Sequence, residues 1–138
     1  MYNEMAQAVG KNAATEEQIH FDIFDPVFTN AYFNVLHKPY ERDGVDFWWI
    51  DWQQGKVAGK LGIDPLWALN HYHYLDIGKN CTQPLILSRY AGVGSHRYPL
   101  GFSGDTLVTW ATLEYLPYFT ATASNIGYGW WSHDIGGH

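Results

Sequence analysis

Short apolar runs that alternate with helical segments are the feature of this sequence that most constrains its fold. The run VDFWWID follows Gly44 directly, is apolar nearly throughout and ends at Asp51. Such a run is typical of a strand in a parallel sheet covered on both faces. Further strands are predicted at 85–88, in PLGFSGD and in YGWWSHDIGG. The predicted order is helix, strand, helix, strand, strand, helix, strand, which indicates βα units and the α/β fold class.

Local helix signals separate these strands. Asp25 and Asp64 are each followed by proline, a pairing typical of a helix N-cap and first turn, and Gly44 and Gly78 stand where helices stop. The segment after Asp105 is expected to be helical in its first part, with a kink or split at Pro117. A short helix is expected within the polar N-terminal stretch. The link between the second and third strands has room for only one helical turn.

Composition narrows the possible functions. The 138 residues form one domain at most, or part of one. A net charge of −6 with only eight lysines and arginines argues against a nucleic-acid partner and against an anionic membrane surface. No run of about 18 apolar residues predicts a membrane span. The single cysteine, Cys81, excludes an internal disulfide and leaves the cellular compartment open.

Titratable side chains follow each predicted strand at the same end. In α/β folds the functional groups gather where parallel strands end. We therefore expect one shared pocket formed by the residues at these ends, namely Asp51, Arg89, Asp105, His133 and Asp134.

Asp51 and Asp105 are candidates for a carboxylate pair. Glycoside hydrolysis uses two such groups, one ionised and one carrying a proton. The alternative is that each aspartate caps a following helix. This alternative stays open for Asp105, which precedes a helix-like stretch, and is weaker for Asp51, because no helix signal follows it.

Aromatic residues on the strands have two interpretations. Trp48, Trp49, Trp130 and Trp131 suit a packed core, but neighbours on a strand point to opposite faces. One indole of each pair is therefore expected to face the interior of a barrel, where it could stack under a sugar.

The histidines do not predict a metal centre. A zinc site needs three or four converging ligands. His71 and His73 lie in a predicted helix at a spacing that does not share a face. His133, Asp134 and His138 lie near the last strand. The histidines of both stretches are better explained as side chains with hydrogen-bond partners in the fold than as metal ligands. A metal-dependent hydrolase remains a rival hypothesis, and no cofactor is predicted.

Four stretches together resemble glycoside hydrolase family 31, the retaining α-glycosidases with a (β/α)8 barrel. They are WWIDWQQG, SRYAGVGSHRY, GFSGDT and SHDIGGH, in that order along the chain. The resemblance implies a partial TIM barrel, roughly strands four to seven with their helices. It implies that residues 1–138 are a fragment of the catalytic barrel with the first and last strands missing. Such a fragment is expected to be inactive alone and to pair its open edges with another copy.

The resemblance also implies roles for individual residues. Asp51 would be the nucleophile, and Asp105 the general acid and then the general base. Substrate binding would fall to Arg89, which contacts a sugar hydroxyl and the carboxylates, and to Asp134, which binds the sugar or holds Arg89. Aromatic substrate-binding residues would be Trp49, Trp52 and Phe102.

The implied activity is that of an α-glucosidase-like enzyme acting on a carbohydrate. An α-transglycosylase and α-xylosidase, α-galactosidase or α-N-acetylgalactosaminidase specificity remain alternatives. A non-catalytic carbohydrate-binding relative is less favoured, because both aspartates are present. The sequence leaves localisation and oligomeric state open.

Overall fold

The structure is a computed structural model that describes residues 1–51, 62–98, 100–134 and 138. These residues form two compact units. Of the described residues, the first contains 1–46 and 62–69, and the second contains 47–51, 70–98, 100–134 and 138. The candidate site residues that the structure describes all belong to the second unit.

The first unit is built from helices. Helix α1 (Tyr2–Ala8) precedes a 3₁₀ turn (Ala13–Thr15), and α2 (Pro26–Ala31) continues through a π-helical turn (Tyr32–His37) into α3 (Lys38–Arg42). Its apolar core contains Met5, Phe28 and Ala31.

Both predicted ends of this second helical segment are confirmed. The Asp25 carboxylate accepts a hydrogen bond from the Val27 backbone N–H at 2.9 Å, and Gly44 has a φ of +111° after the last turn. The π-helical turn was not predicted. Pro39 explains it, because proline cannot donate a hydrogen bond to the carbonyl four residues back and its ring crowds that carbonyl. A wider turn before Pro39 relieves both problems.

The second unit contains a parallel four-stranded sheet. Its strands are β1 (Trp48–Ile50), β2 (Ile86–Arg89), β3 (Gly101–Phe102) and β4 (Trp131–Ser132), and they lie in that order. Helix α4 (Pro65–Gly78) links β1 to β2, a 3₁₀ turn (Ser95–Arg97) lies between β2 and β3, and α5 (Trp110–Ser124) links β3 to β4. The predicted α/β class, the strand order and the single turn between the second and third strands are confirmed.

The strand register separates two faces of the sheet. Trp49 pairs with Leu87, and Arg89 pairs with Phe102, so these side chains lie on one face. The opposite face carries the buried residues Ile50, Ile86 and Ser88. Trp131 belongs to that second face and packs against Phe119 of α5, with ring centroids 5.0 Å apart.

Helix α5 begins later than the sequence predicted. Thr109 caps it, since its hydroxyl oxygen accepts a hydrogen bond from the Thr112 backbone N–H at 3.1 Å. The alternative that Asp105 caps this helix is therefore wrong. The helix also runs through Pro117 to Ser124, so the expected split is not found.

Helix α4 starts where its Asp-Pro pair predicted. The Asp64 carboxylate accepts a hydrogen bond from the Leu66 backbone N–H at 2.8 Å. Among the residues described here, no helix is long and apolar enough to cross a membrane.

Candidate active site

Arg89 joins the two candidate catalytic carboxylates. Its Nη1 donates a hydrogen bond to Asp51 Oδ1 at 2.9 Å, and its Nη2 lies 3.7 Å from Asp105 Oδ2. The Arg89 side chain is only 13% exposed, whereas the Asp51 and Asp105 side chains are 25% and 34% exposed. The structure thus brings together three of the predicted site residues, with the cation less exposed than the two acids.

The absence of a side chain at Gly104 makes this arrangement possible. Gly104 has a φ of +83°, a conformation that L side chains rarely adopt. A Cβ atom at this position would overlap the guanidinium group of Arg89. The chain therefore turns sharply just before Asp105 and leaves the arginine room beside the turn.

The backbone of Arg89 is fixed by the sheet and by α4. On either side of it, Ser88 N–H donates to Leu100 O at 2.8 Å and Tyr90 N–H donates to Phe102 O at 2.9 Å. From α4, the amide of Asn70, which is 1% exposed, donates to Arg89 O at 3.4 Å. Arg89 therefore extends from a rigid strand end, which favours a precise position for its guanidinium.

Trp49 presents a solvent-exposed aromatic ring two residues before Asp51. Its side chain is 66% exposed, and its ring centroid lies 6.1 Å from that of Phe102, at an interplanar angle of 60°. Phe102 itself is 3% exposed, so the exposed Trp49 ring packs against a buried aromatic neighbour. The predicted aromatic residue Trp52 lies outside the described residues.

Asp134 lies beside a cleft at the end of β4. The cleft has a volume of about 510 Å³ and is lined mainly by the segment that follows Asp105 and by the start of α5. The described ion pairs of Arg89 involve Asp51 and Asp105, whereas Asp134 borders this cleft together with His133.

Two features of this region were not predicted as functional. Apolar residues line the cleft next to the acid, namely Leu107, Val108, Trp110 and Leu113. The apolar run TLVTW directly after Asp105 was the available signal. The second feature is His138, whose Nε2 lies 3.3 Å from Asp105 Oδ1. From the sequence, His138 was predicted to be a hydrogen-bonded histidine and not a metal ligand, with no role in the site.

Two of the other histidines, His71 and His133, have hydrogen-bond partners within the fold. His71 Nδ1 and the Tyr98 hydroxyl share a hydrogen bond of 2.7 Å, and burial raises the pKa of Tyr98, so its hydroxyl stays protonated. His133 Nε2 bonds with the Thr120 hydroxyl at 2.9 Å. Across the stretches that the structure describes, no three histidine, cysteine or acidic side chains converge to hold a metal ion.

Comparison of the sequence with protein-family models identifies the family of the chain. Residues 2–138 match the TIM-barrel domain of glycosyl hydrolases family 31. The chain belongs to family 31. The parallel sheet and its alternating helices agree with part of such a barrel domain, since each described strand lies parallel to the next.

One similar family 31 protein is alpha-xylosidase A of Aspergillus niger (strain ATCC MYA-4892 / CBS 513.88 / FGSC A1513). It is 24% identical over 156 residues, a match that covers 86% of this chain. The chain spans about a fifth of that relative's length (21%).

Proposed function

We propose that this chain is part of a retaining α-glycoside hydrolase in which Asp51 and Asp105 carry the chemistry. The observation that supports this proposal most directly is the sharing of one partly buried guanidinium by two more exposed carboxylates. In this proposal, β1 to β4 are strands four to seven of a (β/α)8 barrel, and residues 1–138 are a fragment whose first and last barrel strands lie elsewhere.

The proposed reaction is a double displacement. Asp51 attacks the anomeric carbon while Asp105 gives its proton to the leaving oxygen, so the glycosidic bond breaks and an ester to Asp51 forms. Asp105 then takes a proton from water, whose oxygen attacks the anomeric carbon and frees Asp51. The sugar leaves with its α configuration retained. If a sugar hydroxyl replaces water, the same residues catalyse transglycosylation.

The remaining residues would hold the sugar. The exposed face of Trp49, supported by Phe102, is suited to stacking under the apolar face of a sugar ring. Arg89 donates a 2.9 Å hydrogen bond to Asp51, which holds the carboxylate in one orientation as a nucleophile. Asp134 lies where it could bind a hydroxyl of a substrate in the adjoining cleft, and Trp52 remains a predicted contact.

The sugar has two leading candidates. An α-glucoside is the expectation from the family resemblance. An α-xyloside is the second candidate, because a family relative carries the name alpha-xylosidase A. A panel of aryl α-glucoside, α-xyloside, α-galactoside and N-acetyl-α-galactosaminide, assayed on the full-length enzyme that contains this chain, ranks them by kcat/KM.

Trapping with a fluorinated glycosyl fluoride tests the nucleophile. We expect the full-length enzyme to gain the mass of one fluorosugar, and the label to map to the peptide that contains Asp51. The Asp51→Asn variant should remain unlabelled. A label on another carboxylate, or an unlabelled enzyme that still turns over substrate, would overturn the assignment. Carbohydrate binding without labelling or turnover would instead favour the non-catalytic alternative.

Substrates with different leaving groups test the acid. Removing a positioned general acid costs about 10²–10⁴-fold when the leaving group needs a proton. We expect Asp105→Ala to lose this much on unactivated glycosides and far less on dinitrophenyl glycosides in the glycosylation step. Equal losses on both substrate types would contradict the acid role. Loss of activity in a chelator would favour the metal-dependent rival.

A further inference from the structure

His138 reaches the candidate acid from the chain segment that follows β4. Its Nε2 lies 3.3 Å from Asp105 Oδ1. Its backbone is fixed on both sides, because its N–H donates to Thr106 O at 2.8 Å and its carbonyl accepts from Val108 N–H at 2.9 Å. These two hydrogen bonds form a short ladder beside Asp105 and place the imidazole next to the carboxyl group.

The two oxygens of Asp105 therefore have different neighbours. Oδ1 lies 3.3 Å from His138 Nε2, a contact just beyond the roughly 2.7–3.2 Å of a typical N–H···O hydrogen bond, so a small rotation of the exposed imidazole forms one. Oδ2 faces Arg89 Nη2 at 3.7 Å, which is too long for a hydrogen bond. One oxygen thus lies beside an imidazole nitrogen, and the other lies beside a guanidinium nitrogen.

We propose that His138 is a positioning residue that orients Asp105 for proton transfer to the leaving group. This proposal rests on the proposed function of Asp105. A neutral imidazole with its proton on Nε2 is sufficient, so no change of charge on His138 is needed. When Asp105 gives up its proton from Oδ2, the hydrogen bond to Oδ1 stabilises the carboxylate that forms, and it is kept when Asp105 takes a proton from water.

The exposure of His138 separates this role from a structural one. The side chain is 68% exposed, and its backbone makes the anchoring hydrogen bonds. Replacing the imidazole therefore leaves the ladder beside Thr106 and Val108 in place. We expect the free energy of unfolding of His138→Leu and His138→Gln to match that of the unsubstituted enzyme within about 0.5 kcal/mol.

The decisive experiment compares leaving groups in the full-length enzyme. We expect His138→Leu to lower kcat/KM about tenfold or more on unactivated α-glycosides, a fraction of the ~10²–10⁴-fold contribution of a positioned acid. On dinitrophenyl glycosides the loss should be less than about threefold. His138→Gln, which retains an N–H donor, should recover most of the activity.

A double-substitution cycle identifies the route of the effect. If His138 acts through Asp105, then His138→Leu should cause no further loss in an Asp105→Ala background. An additional loss in that background, or equal losses of the single variant on both leaving groups, would overturn the proposal. If Asp105→Ala alone shows no dependence on the leaving group, the proposed function and the role of His138 fail together. If Asp105→Ala shows it and His138→Leu does not, only the role of His138 fails.

Discussion

At the scale of single residues, the position of Arg89 depends on residue 104 being a glycine, because any side chain there would occupy the space of the guanidinium group. Gly104 combines a φ of +83° with a position at which a Cβ atom would overlap the guanidinium group. Any other residue would meet two penalties, one from the backbone conformation and one from the overlap with Arg89. The ion pairs of Arg89 with Asp51 and Asp105 would then have to change.

Gly104→Ala introduces both penalties, and measurements of stability and of activity report on them separately. We expect a loss of about 1–3 kcal/mol in stability from the backbone conformation, together with at least a hundredfold loss of kcat/KM in the full-length enzyme, because misplacement by about 1 Å has such effects. Urea unfolding and steady-state kinetics measure the two losses.

Gly10 provides the matched control. It has a φ of +74°, and a Cβ atom there would meet nothing within 4 Å. Gly10→Ala should show a similar loss of stability with unchanged kcat/KM. If Gly104→Ala keeps full activity, or if both variants lose activity equally, the contact with Arg89 is not what matters.

The sequence predicted most of the residues around Arg89. Asp51, Arg89 and Asp105 each lie at or just beyond a strand end, and parallel strands bring such positions to one edge of a sheet. His138 could not be predicted in this way. Its contact with Asp105 depends on backbone pairing between segments about 30 residues apart in the sequence, for which no local pattern exists.

At the scale of secondary-structure elements, β3 and β4 pack closely because β3 begins with glycine. Gly101 pairs with Trp131 in the sheet. A Cβ atom at Gly101 would lie 2.8 Å from the Trp131 ring and 3.1 Å from the Tyr128 ring. The aromatic cluster that Trp131 forms with Tyr128 and Phe119 therefore requires a bare backbone at this point in β3.

Gly101→Ala should destabilise the chain by about 1–3 kcal/mol, the usual cost of overpacking. Gly129→Ala is the control, because a Cβ atom there meets nothing within 4 Å. Urea unfolding followed by far-UV circular dichroism gives both values. Adding Trp131→Phe to Gly101→Ala should recover part of the loss, since the clashing part of the indole is removed. No recovery, or equal effects of the two alanines, would contradict this account.

A helix start could be predicted from the sequence only where the residues that determine it lie within one turn. The helix starts at Asp25 and Asp64 were predicted because a cap and a proline act within one turn. The start of α5 was not predicted. The backbones of Thr106 and Val108 are hydrogen-bonded to His138, and the helix begins only after Thr109. Tertiary pairing here overrides a local tendency that the sequence displays.

At the scale of the whole molecule, the sheet has two outer strands. β1 pairs with β2 and β4 pairs with β3, and in the part of the chain that the structure describes no strand pairs with their other edges. Open edges of this kind carry unpaired backbone groups that can pair with another chain. In a closed barrel such edges would be covered.

We therefore expect the 138-residue chain on its own to self-associate and to lack turnover of aryl α-glycosides. Analytical ultracentrifugation over a range of concentrations measures the association. Lysine at a sheet edge opposes pairing, so Trp130→Lys beside β4 should weaken it. Trp110→Lys is the control, since Trp110 is also exposed but lies on α5. A monomer at all concentrations, or equal effects of the two lysines, would refute the edge explanation.

The unequal distances from Arg89 to its two acids are suited to a change of partner during the proposed reaction. Before reaction, the charges of ionised Asp51, Arg89 and protonated Asp105 sum to zero, and the shorter ion pair is with Asp51. Once Asp51 is esterified and Asp105 has lost its proton, the sum is again zero, but the only anion is Asp105. The guanidinium thus lies within reach of both Asp51 Oδ1 and Asp105 Oδ2. The summed charge of Arg89 and the two aspartates is zero at both stages of the proposed reaction.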